Sequence, residues 1–374
     1  MSKETIDAIA LTMLQPQLSP LNLMQMYRAA GSAAAIVEAK DNIRNLIPDA
    51  TPRMTEILLD LDNAILRAQE EVEFCSKHSI KILTPSDAEY PQRLHECEDA
   101  PLVLYFCGNG NLNSAHVINI IGTRKITTYG QDIIRHFIED LHDICPDALV
   151  VSGLAYGVDV NAHREALQNG MDTIGVVAHG LDTIYPATHR EIAKDMTMHG
   201  GLLTEYPHNT RIDKRNFVQR NRIVAGMSDA CILVESASKG GGLITAHISN
   251  DYNRDVFAFP GPVNAPYSAG CNNLIREDGA HLITSADDFV KFMGWEDSNI
   301  LNEARRKGIE RTLFPELTEE ERLLVDTISD VDLQLNQITV KSGLPISKVS
   351  ALLFTLEMKG LVRCMAGGTY HLLK

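Results

Sequence analysis

The sequence predicts an α/β protein in which a doubly wound core lies between a helical N-terminal module and a C-terminal winged helix. Three observations predict it. Apolar residues recur at helical spacing before about residue 80, short apolar runs alternate with amphipathic stretches up to about residue 295, and the last segment has the pattern of helix, turn, helix and two strands. The predicted parts are 1–80 (helical module), 81–295 (core), 296–314 (linker) and 315–374 (winged helix).

The N-terminal module is predicted from two apolar stripes at helical spacing, the first punctuated by Pro16 and Pro20. The first stripe is Leu11, Leu14, Leu18, Leu21 and Met24, and the second is Ile57, Leu58, Leu61, Ile65 and Leu66. This pattern indicates a small helical bundle of the SAM-like or helix-hairpin-like type. Because no Gly-x-Gly hairpin is evident, we interpret it as a structural or protein-contact module rather than a DNA-binding one.

The core is predicted from six short apolar runs, several of which lack the in/out alternation of a half-exposed sheet. The runs are His116–Gly122, Ala148–Ser152, Thr173–Ala178, Gly201–Glu205, Ala230–Glu235 and Asp255–Pro260. Helix-like stretches lie between them: Tyr129–Ile144, Asp159–Asn169, His189–His199, Phe217–Met227 and Leu243–Asn253. Right-handed crossovers would place the loops that follow the strands along one edge of a parallel sheet, where such folds bind ligands.

The C-terminal tail begins with a predicted capping box, in which Thr318 is the N-cap and Glu321 stands three residues later. Two short strands are predicted around Gly367-Gly368. The second helix of the turn begins at about Ile346, and residues 315–374 carry six Lys/Arg against eight Asp/Glu, a net charge of 6 − 8 = −2. A reader of the major groove normally presents more positive charge, so we expect protein contact or a weak accessory DNA role here.

Composition and charge limit the classes of function that the protein can have. The 374 residues are 44% hydrophobic and 22% charged, which is ordinary for a globular protein, and no apolar run reaches the roughly 18 residues of a membrane span. The net charge of 34 − 49 = −15 means that any nucleic-acid site must be a local patch. Seven cysteines without a Cys-x-x-Cys pair argue against zinc and against a disulfide framework. With no secretory signal evident, we expect a cytoplasmic protein with no membrane contact and no metal.

Glycine-bearing turns follow the predicted strands and favour phosphate binding at the edge of the sheet. Glycine lets the backbone approach an anion, and the helix that follows offers unpaired N–H groups and a positive dipole end. The turns assigned to phosphate contact contain Gly122, Gly153, Gly240, Gly241 and Gly242. Each turn alone is explained by tight turning, but the set together favours an anion site.

The segment from Arg211 to Arg222 has five basic residues and one acidic residue, a local charge of +4 in an acidic chain. Phe217 lies among the cations. Positive charge interleaved with an aromatic ring suits single-stranded nucleic acid, because charge and base stacking act on any sequence. The alternative is a solvated basic face or a set of ion pairs with the protein's many acids.

An enzyme is the alternative reading of the same turns. Asp159 and His163 stand four residues apart on one helical face, and further candidate acids and bases are Asp182, Glu205, Glu235 and His179. The sequence has no Gly-x-Ser-x-Gly elbow and no Gly-x-x-x-x-Gly-Lys-Ser/Thr loop. His247 stands after Gly242 where a hydrolytic Glu would be sought. We therefore predict no catalytic residues, and keep a nucleotide-processing Rossmann enzyme of the lysine-decarboxylase-like group as the alternative.

Six segments in order resemble the DNA-processing protein A family (DprA, also called Smf). They are INIIGTRKITTYG, VVSGLAYGVDVNAHREAL, HGLDTIYPATHREIA, GGLLTEYP, NFVQRNRIVAGMSDACILVESASKGGGLITA and VFAFPGPVNAPYSAGCNNLIREDGAHLI, spanning about residues 116 to 283. The resemblance implies an extended Rossmann-like core that binds single-stranded DNA, forms a homodimer and helps load the recombinase RecA on DNA that enters during natural transformation. It implies no cofactor and no catalysis.

Carried over residue by residue, the resemblance implies that Arg124 binds phosphate, that Lys214 and Phe217 supply charge and stacking, and that Lys239 lines the same pocket. The expected DNA-binding set is Arg124, Lys125, Lys214, Arg215, Phe217, Arg220, Asn221, Arg222 and Lys239. The chain departs from the family pattern in its Ser238-Lys-Gly-Gly-Gly turn and at Tyr156, where the family commonly has Arg. Tyr156 removes one phosphate contact and offers a ring for stacking.

Overall fold

A computed structural model describes residues 2–14, 17–295, 317–328, 333–358, 361–365 and 369–372. The chain forms two compact units, residues 1–296 and 297–374. The predicted boundary at residue 80 therefore falls inside the first unit. The linker predicted at 296–314, together with Pro16, Lys359 and the Gly367-Gly368 turn, lies outside the described residues. Within the described residues, none of the helices combines the length and the apolar character that crossing a bilayer requires.

Six α-helices precede the sheet in the described residues, and serine or threonine caps start four of them. Ser2, Ser19, Ser32 and Thr51 each accept a hydrogen bond from a backbone N–H of the first turn, and proline follows directly after Ser19 and Thr51, where a missing N–H costs nothing. The helices are α1 Lys3–Thr12, α2 Pro20–Ala30, α3 Ala33–Glu38, α4 Ile43–Leu46, α5 Pro52–Leu58 and α6 Leu61–Lys77. The predicted apolar stripes are largely buried here, although Leu66 is exposed.

The core of the first unit is a nine-stranded sheet in the order β1-β2-β6-β5-β4-β3-β7-β8-β9. Its strands are β1 Lys81–Leu83, β2 Leu104–Gly108, β3 Val117–Ile121, β4 Leu149–Ser152, β5 Thr173–Val176, β6 Gly200–Thr204, β7 Ala230–Leu233, β8 Asp255–Ala258 and β9 His281–Leu282. All six predicted runs are strands and they pair in parallel, which confirms the α/β fold class. The sequence did not predict β1 and β2, which form an antiparallel edge against β6.

Helices cover both faces of the sheet, which explains why its strands are apolar throughout. The helices are α7 Gln92–His95, α8 Thr128–Ile144, α9 Val158–Gln168, α10 Arg190–Met198, α11 Lys214–Gly226, α12 Gly241–Asp251, α13 Ala269–Arg276 and α14 Ala286–Met293. Along β3, Val117 and Ile121 join a core shared with the N-terminal helices, whereas Ile118 and Ile120 face a second core with residues of α8 and α14. The N-terminal helices thus complete one face of the sheet.

The second unit is a winged helix, as predicted. Its elements are α15 Glu319–Ile328, β10 Leu333–Gln334, α16 Leu335–Ser342, α17 Ile346–Met358, β11 Val362–Met365 and β12 Thr369–Leu372, and the strands pair in the order β10-β12-β11. The predicted capping box is confirmed: the Thr318 backbone N–H donates to Glu321 at 2.8 Å, and the Glu321 N–H donates to the Thr318 hydroxyl at 3.2 Å. Lys348 of α17 forms an ion pair with Glu320 at 2.5 Å, in which both side chains remain exposed.

Candidate functional site

The strand order contains a switch point between β3 and β7. From β3 the chain builds β4, β5 and β6 on one side, and after β6 it crosses back to add β7, β8 and β9 on the other. At such a point the connections leave the carboxyl edge in opposite directions and open a crevice in which α/β proteins bind ligands. A cavity of about 270 Å³ lies here, lined by residues that follow β3, β4 and β7. We refer to it as the switch-point cleft.

The five predicted glycines, Gly122, Gly153, Gly240, Gly241 and Gly242, all line this cleft. The turns after β3 and β7 touch, because a Cβ at Gly242 would lie 3.1 Å from the Cα of Gly122. The Thr123 N–H also donates to the Glu235 carbonyl at 2.7 Å, and the Val158 N–H donates to the Thr123 carbonyl at 3.1 Å. Side chains would hold these segments apart, so glycine keeps the backbone close and leaves a cleft walled by main chain.

Two helices of 11 residues, α9 and α12, begin at the switch-point cleft. In the described part of the chain neither start receives a hydrogen bond from a side-chain cap, since Gly157 and Gly240 occupy the N-cap positions. The Val158 and Val160 N–H groups of α9 already donate to the carbonyls of Thr123 and Ala155, at 3.1 and 3.2 Å, so α9 contributes mainly its dipole. The first turn of α12 favours an anion in the cleft through both its N–H groups and its dipole.

Arg220 forms the floor of the cleft. Its side chain is 97% buried, at 3% exposure, and it donates to the carbonyl of Gly153 at 2.5 Å and to that of Val176. Its Nε has no hydrogen-bond partner among the described residues. Burial lowers the pKa of Arg220 and raises that of Asp159, which lines the cleft beside it. The buried cation thus fastens the ends of β4 and β5 and supplies positive charge to the cleft.

The rim of the cleft carries the aromatic ring that the sequence predicted. The Arg124 guanidinium carbon lies 5.8 Å from the centre of the Phe217 ring, within cation–π range. Arg124 is exposed, so its charge remains available to a ligand. Phe217, Arg220, Asn221 and Val224 of α11 all line the cleft, because residues at i, i+3, i+4 and i+7 share one face of a helix.

Four further predicted cations lie beside the cleft without lining it. Lys125 follows Arg124, Lys239 precedes Gly240, and Lys214 opens α11 three residues before Phe217; all three are exposed. Arg215 is also exposed, and it pairs with the α11 N-cap Asp213 at 3.3 Å. These four cations therefore stand outside the cleft, whereas Arg124 and Arg220 line it.

Arg222 is placed elsewhere and does not belong to the candidate site. It stands two residues after Arg220 on α11, hence on another face of the helix. Its guanidinium forms a buried ion pair with Glu205 at 2.5 Å and donates to the Asp99 carbonyl at 2.5 Å. With the two side chains only 7% and 3% exposed, this arginine stabilises the fold and is closed to solvent.

The candidate catalytic groups from the sequence are engaged structurally. His163 is buried, with Nδ1 2.7 Å from the Thr173 hydroxyl, and burial lowers its pKa to about 3. His179 Nδ1 lies 2.9 Å from the Gly180 carbonyl, and its Nε2 accepts from the Tyr185 N–H at 3.2 Å. Glu235 accepts from Thr127 at the start of α8.

Asp182 accepts from the Asn209 N–H at 3.1 Å, and His247 is exposed, with Thr245 rather than His247 lining the cleft. Among the described residues, Asp159 is the acid that the cleft contains, and no group of three His, Cys, Asp or Glu residues could hold a metal ion.

The loop before α11 is anchored to the N-terminal helices by a buried carboxylate. Both oxygens of Glu71 in α6 accept from the His208 backbone N–H, at 3.0 and 3.1 Å, and His208 Nδ1 lies 2.5 Å from the same carboxylate. Arg67 donates to the His208 carbonyl at 2.8 Å, and the Phe74 ring stacks on the His208 ring at 4.2 Å. This loop leads into Lys214 and Phe217, so α6 helps to set the position of the basic segment.

Sequence reasoning missed Tyr185, which lies on the loop after β5 and contacts Phe217 with ring centres 5.7 Å apart. The signal available was a tyrosine in a loop that follows a predicted strand, at the edge where ligands bind.

Comparison with known proteins gives two family matches. The sequence model of the family described as DNA recombination-mediator protein A matches residues 81–294, and that of the DprA winged helix domain matches residues 312–368. The chain is 33% identical over 331 residues to Protein Smf of Synechocystis (strain PCC 6803), covering 80% of this chain and 82% of that protein.

Two solved structures are also similar. The X-ray structure of DNA processing protein A from Streptococcus pneumoniae superposes with a TM-score of 0.63 at 29% identity, covering 75% of this chain and 96% of that one. DNA processing protein A from Helicobacter pylori, whose structure is described as revealing a single-stranded DNA binding mode, superposes with a TM-score of 0.52 at 28% identity, covering 58% of this chain and 97% of that one.

Proposed function

The chain belongs to the DNA recombination-mediator protein A (DprA/Smf) family of DNA processing proteins, and on this basis we propose that it binds single-stranded DNA at the switch-point cleft. One observation carries the proposal: the cleft brings together five glycines, the uncapped start of α12, a buried Arg220 and an exposed Arg124 beside the ring of Phe217. Main-chain N–H groups and cations suit phosphate, and the ring suits a base, without regard to sequence.

We further propose that the bound strand is incoming DNA during natural transformation, and that the protein protects it and helps to load RecA. The same proposal holds that the protein works as a homodimer in the cytoplasm. Charge supports the confinement of DNA to one site, because a net charge of −15 disfavours non-specific binding of a polyanion away from a local positive cleft.

We propose a binding role rather than catalysis at this cleft. The acid that lines it, Asp159, accepts from the Ala155 N–H at 3.2 Å and lies beside the Arg220 guanidinium. The histidine considered as its partner, His163, is bound to Thr173 in the interior. A nucleotide-cleaving enzyme would instead release a free base from nucleotides, which an assay can detect.

The test is the binding of a fluorescent oligo-dT to the wild type and to the double variant Arg124→Ala/Lys214→Ala, with a matched duplex as competitor. A suitable control is Arg135→Ala/Lys194→Ala, which removes two exposed cations of α8 and α10 that do not line the cleft. We expect the first pair to weaken binding at least tenfold, the control to change it less than about twofold, and the duplex to compete poorly.

Equal losses in both double variants would mean that binding follows total charge rather than the cleft. Unchanged binding in Arg124→Ala/Lys214→Ala would exclude the cleft, and base release from nucleotides by a protein that does not bind oligo-dT would favour the enzyme.

A further inference from the structure

We propose that Tyr185 and Tyr156 form a second base-stacking subsite next to the switch-point cleft, which takes the nucleotide adjacent to the one held by Phe217. The inference rests on the proposed function, because it extends the path of a single strand beyond the cleft. It assigns a role to the segment from Tyr185 to His189, which follows β5.

The first observation is the continuity of rings. Phe217 contacts both Arg124, whose guanidinium carbon is 5.8 Å from the ring centre, and Tyr185, whose ring centre is 5.7 Å away. The Phe217 and Tyr185 planes meet at 61°, so they are not stacked on each other. Because the two rings do not stack on each other and Tyr185 is 47% exposed, the Tyr185 ring remains accessible to a base.

The second observation is that the same segment holds Tyr156. The Thr188 hydroxyl donates to the Tyr156 hydroxyl at 3.3 Å, and the Tyr156 ring contacts the His189 ring edge-on at 4.9 Å. His189 is buried with Nδ1 3.0 Å from the Leu154 carbonyl, which ties this segment to the loop after β4. The Tyr156 ring thus has two contacts with this segment, one through its hydroxyl and one through its ring.

The third observation is that both tyrosine side chains are exposed to solvent. Tyr185 and Tyr156 are 47% and 48% exposed, although large aromatic side chains are mostly buried in proteins. Arg124 contacts the Phe217 ring that Tyr185 touches, and Arg190 directly follows the segment in the sequence. Both cations are exposed, as is Glu191, while Asp182 before the segment accepts from the Asn209 N–H. Held rings with exposed faces beside cations are the arrangement that binds successive bases of a single strand.

The experiment separates the contribution of the bases to binding from that of the phosphates. Affinities of the full chain are measured for oligo-dT and for an abasic oligomer of the same length, with wild type, Tyr185→Ala, Tyr185→Phe and Tyr156→Ala. Met198→Ala is the control, since this exposed apolar side chain ends α10 beside the start of β6, at the opposite edge of the sheet. Fluorescence of the single tryptophan, Trp295, checks that each variant is folded.

We expect Tyr185→Ala to weaken oligo-dT binding about fivefold or more and to leave binding of the abasic oligomer within about twofold. Tyr185→Phe keeps the ring and should recover most of the affinity, and Tyr156→Ala should act in the same direction as Tyr185→Ala. The two changes, ring removal and base removal, should therefore be non-additive.

Equal weakening for both oligomers would overturn the subsite, because the ring would then act on the fold or the backbone. Full oligo-dT affinity in both alanine variants, with the Arg124→Ala/Lys214→Ala loss intact, would overturn the subsite and leave the proposed function standing. A wild-type protein that binds no oligo-dT would reject the proposed function itself.

Discussion

Replacing Arg222 with methionine should destabilise the protein without removing a DNA contact. The Arg222 guanidinium donates to the Glu205 carboxylate and to the Asp99 carbonyl, and the ion-paired side chains are 7% and 3% exposed. The second oxygen of Glu205, Oε1, already has no hydrogen-bond partner among the described residues. Arg222→Met would therefore leave a buried carboxylate without a donor, which costs roughly 3–5 kcal/mol in the free energy of unfolding.

The assay is urea unfolding followed by the fluorescence of Trp295, the single tryptophan of the chain, which is buried against Phe289 and reports on the first unit. With a urea dependence of about 3 kcal/mol per molar, the midpoint should fall by about 1 M or more. The double variant Glu205→Leu/Arg222→Met removes both charges together and should recover most of this loss, because an apolar pair needs no partner.

A loss below about 1 kcal/mol in Arg222→Met, or a double variant no more stable than the single one, would refute the buried-pair reasoning. A folded Arg222→Met protein of unchanged stability that no longer binds oligo-dT would return Arg222 to the DNA site.

Three further predictions concern the cleft and its surroundings. Gly242→Ala should lower the free energy of unfolding by about 1 kcal/mol or more, because a Cβ at position 242 would lie 2.9 Å from the Leu233 side chain. Gly241→Ala should not lower it, because a Cβ at position 241 meets nothing within 4 Å. Urea unfolding midpoints of the two variants check both expectations. Because burial lowers the pKa of His163 to about 3, folding favours its neutral form, so the stability it confers is complete above about pH 6.5 and is lost as the pH falls toward 3. His163→Gln should reduce the change in the free energy of unfolding with pH by up to about 1.4 kcal/mol per pH unit between about pH 3 and 6.5. An unchanged pH dependence would contradict the burial of a neutral His163. Arg124→Ala should lower the slope of log affinity for oligo-dT against log salt by about 0.7, and an identical slope would remove Arg124 from the phosphate contacts.

The parallel sheet was predictable because buried strands need apolar residues on both faces, and the six runs from His116 onward carry that signal directly. The antiparallel edge was not predictable, because β1 has only three residues and β2 pairs with a strand almost a hundred residues away in the sequence. Arg220 and Arg222 looked equivalent in the sequence, yet the fold separates them. Helical spacing already places Arg220 on the same face of α11 as Phe217, and Arg222 on another face. The buried partner of Arg222, Glu205, directly follows β6, and no local sequence pattern reveals this contact.

The anchoring of His208 by Glu71 determines where this chain can be cut. A fragment that starts at residue 81 would lose the carboxylate that holds the loop before α11, and it would expose the sheet face that packs against α1 and α6. By contrast, the boundary between the two compact units falls between residues 296 and 297. Work on isolated parts of the protein should therefore keep the N-terminal helices together with the sheet.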